Sequence, residues 1–129
     1  MSTPYRIHGF PKPPLVAGAD LSANGFRFVK AGAAEGQALP IAAVADRPMA
    51  VQQDKPRAGE AGDFVSFGIV EIETGAVVAF GAEISTDATG RAVPAVSGRS
   101  ICGWALTSSG AAGHRISAFI NLVNPPRMA

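Results

Sequence analysis

Asp63-Phe64-Val65-Ser66-Phe67-Gly68-Ile69-Val70-Glu71-Ile72-Glu73 is the strongest strand signal in the chain. β-Branched and aromatic residues of this kind fit a pleated, half-buried surface. Alternation puts Val65, Phe67 and Ile69 on one face. Gly68, inside the run, marks a bulge or a bend of the sort that turns a barrel corner.

Outward from this run the same short-strand pattern repeats. Residues 115–122 set Ile116, Ala118, Ile120 and Leu122 on one face, against Arg115, Ser117, Phe119 and Asn121 on the other. Residues 26–30 read as a strand after an Asn24-Gly25 turn. Residues 38–44 and 48–53 follow, with Pro40 and Pro48 placing them near an edge or at strand starts. Residues 77–80, 83–86 and 91–95 read as short strands around turns at Gly81 and Thr89-Gly90, and 101–107 as another. Trp104 in that last strand reads as core packing, with an interface anchor as the alternative. The alanine-rich stretches 31–34 and 110–113 are broken by glycine and read as turns. At most one short helix is expected, near residues 19–23, with Asp20 or Ser22 as its cap. The expected fold class is mostly β: a small closed or partly open β-barrel or sandwich of short antiparallel strands, with an extended N-terminal arm.

Two motifs recur in the same order. Gly36-Gln37-Ala38-Leu39-Pro40 returns as Gly90-Arg91-Ala92-Val93-Pro94, and Ala61-Gly62-Asp63-Phe64-Val65-Ser66 as Ala112-Gly113-His114-Arg115-Ile116-Ser117. Two similar β-units, about 26–70 and 80–123, would each leave an apolar face uncovered, and pairing them buries both. The 129 residues suit one domain. The expected division is an arm at 1–19, a single β-domain at 20–124 and a tail at 125–129.

The arm differs in composition. Pro4, Pro11, Pro13 and Pro14 favour extended backbone. Tyr5, Ile7, Phe10, Leu15 and Val16 are interleaved with them, and a solvated linker seldom carries so many large apolar groups. The arm is therefore expected to dock, on its own domain or on a neighbouring subunit.

Charge and chemistry narrow the function. Only 16% of residues are charged, against about 25% in typical soluble domains. This fits a surface covered by partners or an alanine-rich domain. The net charge is +1 and the basic residues are scattered, so no stripe for a phosphate backbone and no direct nucleic-acid partner are expected. No apolar stretch approaches about 18 residues, so no membrane span or membrane partner is expected. The N-terminus lacks the pattern of a signal peptide, which implies folding in a reducing cytoplasm. Cys102 is the single cysteine and reads as a small core residue. It serves as a nucleophile only if His114 meets it across neighbouring strands. Glu71 and Glu73 share a strand face and read as solvated groups that discourage edge pairing rather than as a glycosidase pair. His8 and His114 have no partners at metal-ligand spacing. No phosphate-binding loop, dinucleotide fingerprint or serine-nucleophile elbow occurs. No catalytic residue, metal or cofactor is expected, and the chain reads as a non-enzyme.

Several segments together resemble bacteriophage capsid decoration (cement) proteins: Phe26-Arg-Phe-Val-Lys30, Asp46-Arg-Pro-Met-Ala-Val51, Lys55-Pro-Arg-Ala-Gly-Glu60, residues 65–72, Thr86-Asp-Ala-Thr-Gly-Arg-Ala-Val-Pro94 and Gly103-Trp-Ala-Leu106. The match covers about residues 20–123 and departs at Ala50-Val51, where the family often has glycine before the valine. The resemblance implies a virion protein made in the host cytoplasm and bound to the outer surface of an assembled head. There it would bridge subunits of the major capsid protein, commonly as a homotrimer, and stabilise the shell. The arm would then add reach by pairing with a neighbour's strand edge, with Tyr5, Arg6, Ile7, Phe10 and Leu15 as the inter-subunit or capsid contacts. The alternative is a soluble β-rich module that binds a receptor or glycan.

Overall fold

The computed structural model describes residues 15–122 and the backbone of Arg127–Met128. Over these residues the chain is all β. The strands are β1 Val16–Ala17, β2 Phe28–Ala31, β3 Gln37–Pro40, β4 Ala50–Gln52, β5 Phe64–Val65, β6 Phe67–Glu73, β7 Glu83–Thr86, β8 Ala92–Pro94, β9 Ser100–Ile101, β10 Gly103–Ala105, β11 Arg115–Asn121 and β12 Arg127–Met128. They form a five-stranded sheet ordered β1-β3-β2-β4-β5, a second ordered β6-β11-β10-β7-β8, and a small β12-β9 pair.

The two large sheets follow one path. Without β1 and β6, the first runs β3-β2-β4-β5 and the second β8-β7-β10-β11, every pair antiparallel. The two Gly-x-Ala-[Leu/Val]-Pro segments form β3 and β8. Each opens on a glycine in the left-handed region, Gly36 at φ 78° and Gly90 at φ 87°. A hairpin reversing at that point needs a residue with no Cβ penalty there. At Gly90 a side chain would also press on the Phe28 carbonyl oxygen, 2.7 Å from the added Cβ.

Both sheets curl until their edges are covered. Val16 bridges Ala61, which folds β1 back toward the segment before β5. Thr74, just past β6, bridges Ala92 of β8. The outer edge of β6 is met by the side chain of Gln53, whose Nε2 donates to the Glu71 carbonyl (2.8 Å) and whose Oε1 accepts from the Glu71 N–H (3.1 Å). A side-chain amide thus stands in for a neighbouring strand and blunts an edge that would otherwise template pairing.

The first sheet is buried on both faces. On β2, Phe28 joins the larger core with Val70, Ile72, Ile84, Ile116 and Ile120, while Val29 joins a smaller one with Ala17, Leu21, Ala38 and Phe64. On β4, Val51 faces the larger core and Ala50 the smaller. Phe28 and Val51 are directly opposed across β2 and β4, and they are the first sheet's plug into the shared interior. Gln52, fully buried, donates through Nε2 to the carbonyls of Leu21 (2.9 Å) and Asp54 (2.6 Å) and so ties the 18–27 loop to β4.

Several details depart from the sequence reading. Residues 19–23 form a turn, in which Asp20 accepts from the Ser22 N–H at 3.0 Å; the short carboxylate that would cap a helix closes a turn instead. Residues 77–80 are not a strand, and Val78 makes only an isolated bridge to Ser109. The strand expected over 38–44 is Gln37–Pro40. Val16–Ala17, assigned to the arm, pairs in parallel with Gln37–Ala38 inside the first sheet. The 63–73 run is two strands meeting at Ser66, whose hydroxyl donates to the Met49 carbonyl (2.8 Å) at the corner between sheets. The alternation changes phase there. Val65 packs on the larger core, but past the corner Val70 and Ile72 point inward and Ile69 points out. Gly68, in register with Ile120, holds φ 126°, which lets β6 bend next to that corner.

Candidate interaction surface

The second sheet has one face in the core and one facing out. Strand register aligns three large apolar side chains across the outer face: Ile69 on β6 opposes Phe119 on β11, which opposes Trp104 on β10. Directly opposed residues of antiparallel strands project to the same side. Phe67, two residues before Ile69, shares that face. The Trp104 and Phe119 rings stack with centroids 5.0 Å apart and planes at 20°, and Phe119 meets Phe67 edge to face at 5.3 Å. Offset and edge-on pairs of this kind hold aromatic rings in fixed places. Ile69 is 69% exposed and Trp104 46%. Trp104, expected in the core, therefore stands on the surface. Its neighbours Gly103 and Ala105 face inward where space is tight, and alternation turns the indole out.

Charged groups frame this face at the other end of β11. Arg115 lies over the Phe26 ring, 4.3 Å from its centroid, and pairs with Glu71 at 3.6 Å. Glu73 receives both Arg27 (3.3 Å) and Arg91 (3.5 Å), which clamps the end of β6 to β2 and to the β7–β8 turn. Phe26 takes φ 62°, a left-handed conformation costly for a bulky residue, where the chain turns into β2. Phe26, Lys55, Glu73 and Arg115 line a shallow polar cleft here. In the β7–β8 turn, burial raises the Asp87 carboxyl. The backbone N–H groups of Arg91 and Thr89, the Thr89 hydroxyl and the Arg91 charge outweigh this and hold it below the ordinary carboxylate value. On the first sheet, the Ala42 N–H, Lys30 and the Ala43 N–H likewise lower Asp46, against a smaller opposing effect of desolvation.

The candidate chemical groups do not converge. Cys102 is buried, and desolvation pushes its thiol up to about 12, only partly opposed by a backbone hydrogen bond from Thr86. A thiol in that state is not a nucleophile at neutral pH. Its carbonyl accepts from Asn121 at one end of β11, whereas His114 precedes Arg115 at the other end, about 20 Å away at strand rise. The Cys–His meeting considered from sequence is thus not formed. Glu71 and Glu73 share one face as expected, each engaged by arginine. Among the described residues no three His, Cys, Asp or Glu side chains gather at metal-binding distance.

Of the contacts expected in the arm, Tyr5, Arg6, Ile7 and Phe10 lie outside the described residues. Leu15 is half-buried, packs on this chain's own smaller core, and accepts from the Gly62 N–H at 3.4 Å through its carbonyl. The outer aromatic row was not singled out from the sequence. Its signal was Phe119, a lone aromatic on the otherwise polar face of residues 115–121.

The described residues therefore make a two-sheet β-module that carries a fixed aromatic face. In fold it is similar to the N base of the head fibre protein gp8.5 of bacteriophage phi29, with a TM-score of 0.65 and 16% identity over 83% of this chain and 90% of that one. No family model and no curated protein matches the chain.

Proposed function

We propose that this chain is a non-enzymatic structural protein of a bacteriophage head. The observation that carries this reading is the likeness of fold to a head-fibre base, which spans nearly the whole of both chains. In its finer form, the protein is a decoration protein on the outer surface of the assembled shell. It bridges subunits of the major capsid protein and acts as a homotrimer. The aromatic face supports this: interface cores favour rigid aromatic anchors and are poor in Lys and Glu. The low overall charge and the apolar composition around Tyr5, Arg6, Ile7 and Phe10 point the same way. Several modest contacts made at once by a trimer multiply through effective concentration.

The test is sedimentation of purified protein with heads that lack it. Saturable binding at a fixed ratio to the capsid protein, with a higher melting temperature of the heads, is expected. Heads that neither bind it nor gain stability overturn the reading.

The exposed Trp104–Phe119 stack also favours a second reading, a glycan- or receptor-binding module, because sugar rings pack on such platforms. A saturable change in Trp104 fluorescence on adding one glycan of a panel would select it.

A further inference from the structure

The aromatic row and the polar cleft lie on one outer face, toward opposite ends of β11. We propose that together they hold an extended acidic segment of a partner protein, its carboxylate between Lys55 and Arg115 and an apolar side chain on Ile69 and Phe119. This goes beyond the head-protein reading and does not depend on it.

The cleft keeps two cations available. Lys55 lies flat along the turn before β2: a Cβ on Gly25 would stand 2.9 Å from its Cε. Among the described residues its ammonium has neither an ion pair nor a hydrogen bond. The left-handed conformation of that turn falls on Phe26 and not on Gly25 beside it, where glycine would take it without a Cβ penalty. Strain of this kind persists where it serves a site. Here it sets the Phe26 ring under the Arg115 guanidinium, 4.3 Å from the ring centroid, and holds that group over the cleft. Arg115 is half-exposed, and its pairing with Glu71 is open at 3.6 Å. Its fork of N–H donors is left for another acceptor.

Charge and spacing name the partner. Glu73 is taken by Arg27 and Arg91, Asp87 pairs with Arg91 as well, and Glu71 pairs with Arg115. Lys55 is the uncompensated cation of this group, and an excess of one positive charge suits a carboxylate. A phosphate backbone needs a run of cations and would pass Glu71 and Glu73 instead. β11 is an inner strand, paired with β6 on one side and β10 on the other, so a segment laid along it attaches by side chains. Arg115 and Phe119 are four residues apart on one face, about 13 Å at strand rise. Ser117, between them on that face, is small and leaves a lane. At the far end of the lane Ile69 stands exposed beside Phe119. Residues four apart in an extended segment project to one side with the same spacing. The expected segment therefore carries Asp or Glu four positions from a large apolar residue.

The experiment selects ligands for the full chain from random linear peptides displayed on yeast. Enriched peptides are expected to share that acidic–apolar spacing. The best of them, synthesised with a fluorophore, should bind in fluorescence anisotropy and lose about tenfold in affinity to K55Q/R115Q. K55Q alone, which breaks no ion pair, should weaken it in the same direction, and so should I69S. R57Q removes an exposed cation outside the cleft and should change nothing. All these side chains are exposed, so an unchanged melting temperature of each variant is expected. No enrichment, enrichment of peptides without an acidic residue, or equal binding to wild type and K55Q/R115Q overturns the proposal. A single-stranded oligonucleotide that binds more tightly than the peptide and is lost with K55Q/R115Q overturns it too, because the occupant is then a nucleic acid. A dimer of the chain that K55Q/R115Q dissociates does the same, because the occupant is then a second copy.

Discussion

Replacing Phe28 by alanine tests whether the two sheets share one interior. Phe28 belongs to the first sheet, is 1% exposed, and sits among side chains that come mostly from the second. An aromatic side chain buries about 150–250 Å², worth about 4–6 kcal/mol at roughly 25 cal/mol per Å². Alanine keeps the Cβ, and partial collapse of the cavity recovers a little more, so the loss falls at about 3–5 kcal/mol. A domain of this size holds about 5–15 kcal/mol in total. The melting temperature should therefore drop by about 10–20 °C. Calorimetry and guanidinium unfolding should both show one transition that moves as a whole. I69A, on the exposed face, is the control and should stay within about 0.5 kcal/mol of wild type. A loss for F28A below about 1 kcal/mol, or two transitions of which only one moves, would refute a shared core.

Other outcomes follow from particular contacts. G103A drives a Cβ into the Phe119 carbonyl oxygen between two paired strands, so it should cost more than about 3 kcal/mol or prevent folding. G59A adds a side chain in open space at φ 82° and should cost only about 1–2 kcal/mol; similar denaturation midpoints for the two would contradict the packing described. Asp87 is held below its ordinary value in the folded chain, so its contribution is present above about pH 4 and fades as the pH falls through the folded value, because the unfolded carboxylate takes up its proton first. D87N should therefore show a shallower loss of stability between pH 5 and pH 2 than wild type, and an unchanged slope would count against those turn hydrogen bonds. Cys102, with its thiol pushed up to about 12, should react with iodoacetamide only in denaturant; rapid labelling of native protein would show the site to be open.

What the sequence disclosed depended on whether a pattern stayed within one sheet. Residues 115–122 run unbroken, and Ile116, Ala118, Ile120 and Leu122 all face the core as their alternation implies. Residues 63–73 cross between sheets at Ser66, and a corner resets the phase without leaving a mark that periodicity can register. Alternation therefore sets Ile69 on the face of Val65, yet Val65 packs on the core and Ile69 stands exposed. Phe28-Val29 and Ala50-Val51 look like ambiguous apolar pairs until the first sheet is seen to be buried on both faces. For Trp104 hydrophobicity favours the interior, with an interface anchor as the alternative; its inward-facing neighbours Gly103 and Ala105 turn the indole outward, where only the alternative remains. The aromatic row depends on register between three strands far apart in sequence, and no local reading supplies register.

The most direct test of the proposed head role is cryo-electron microscopy of phage heads imaged with and without the protein. Outward density of its size at fixed positions between capsid subunits, absent from the heads that lack it, is the expected result. Heads with identical density in both preparations would contradict a structural role on the shell.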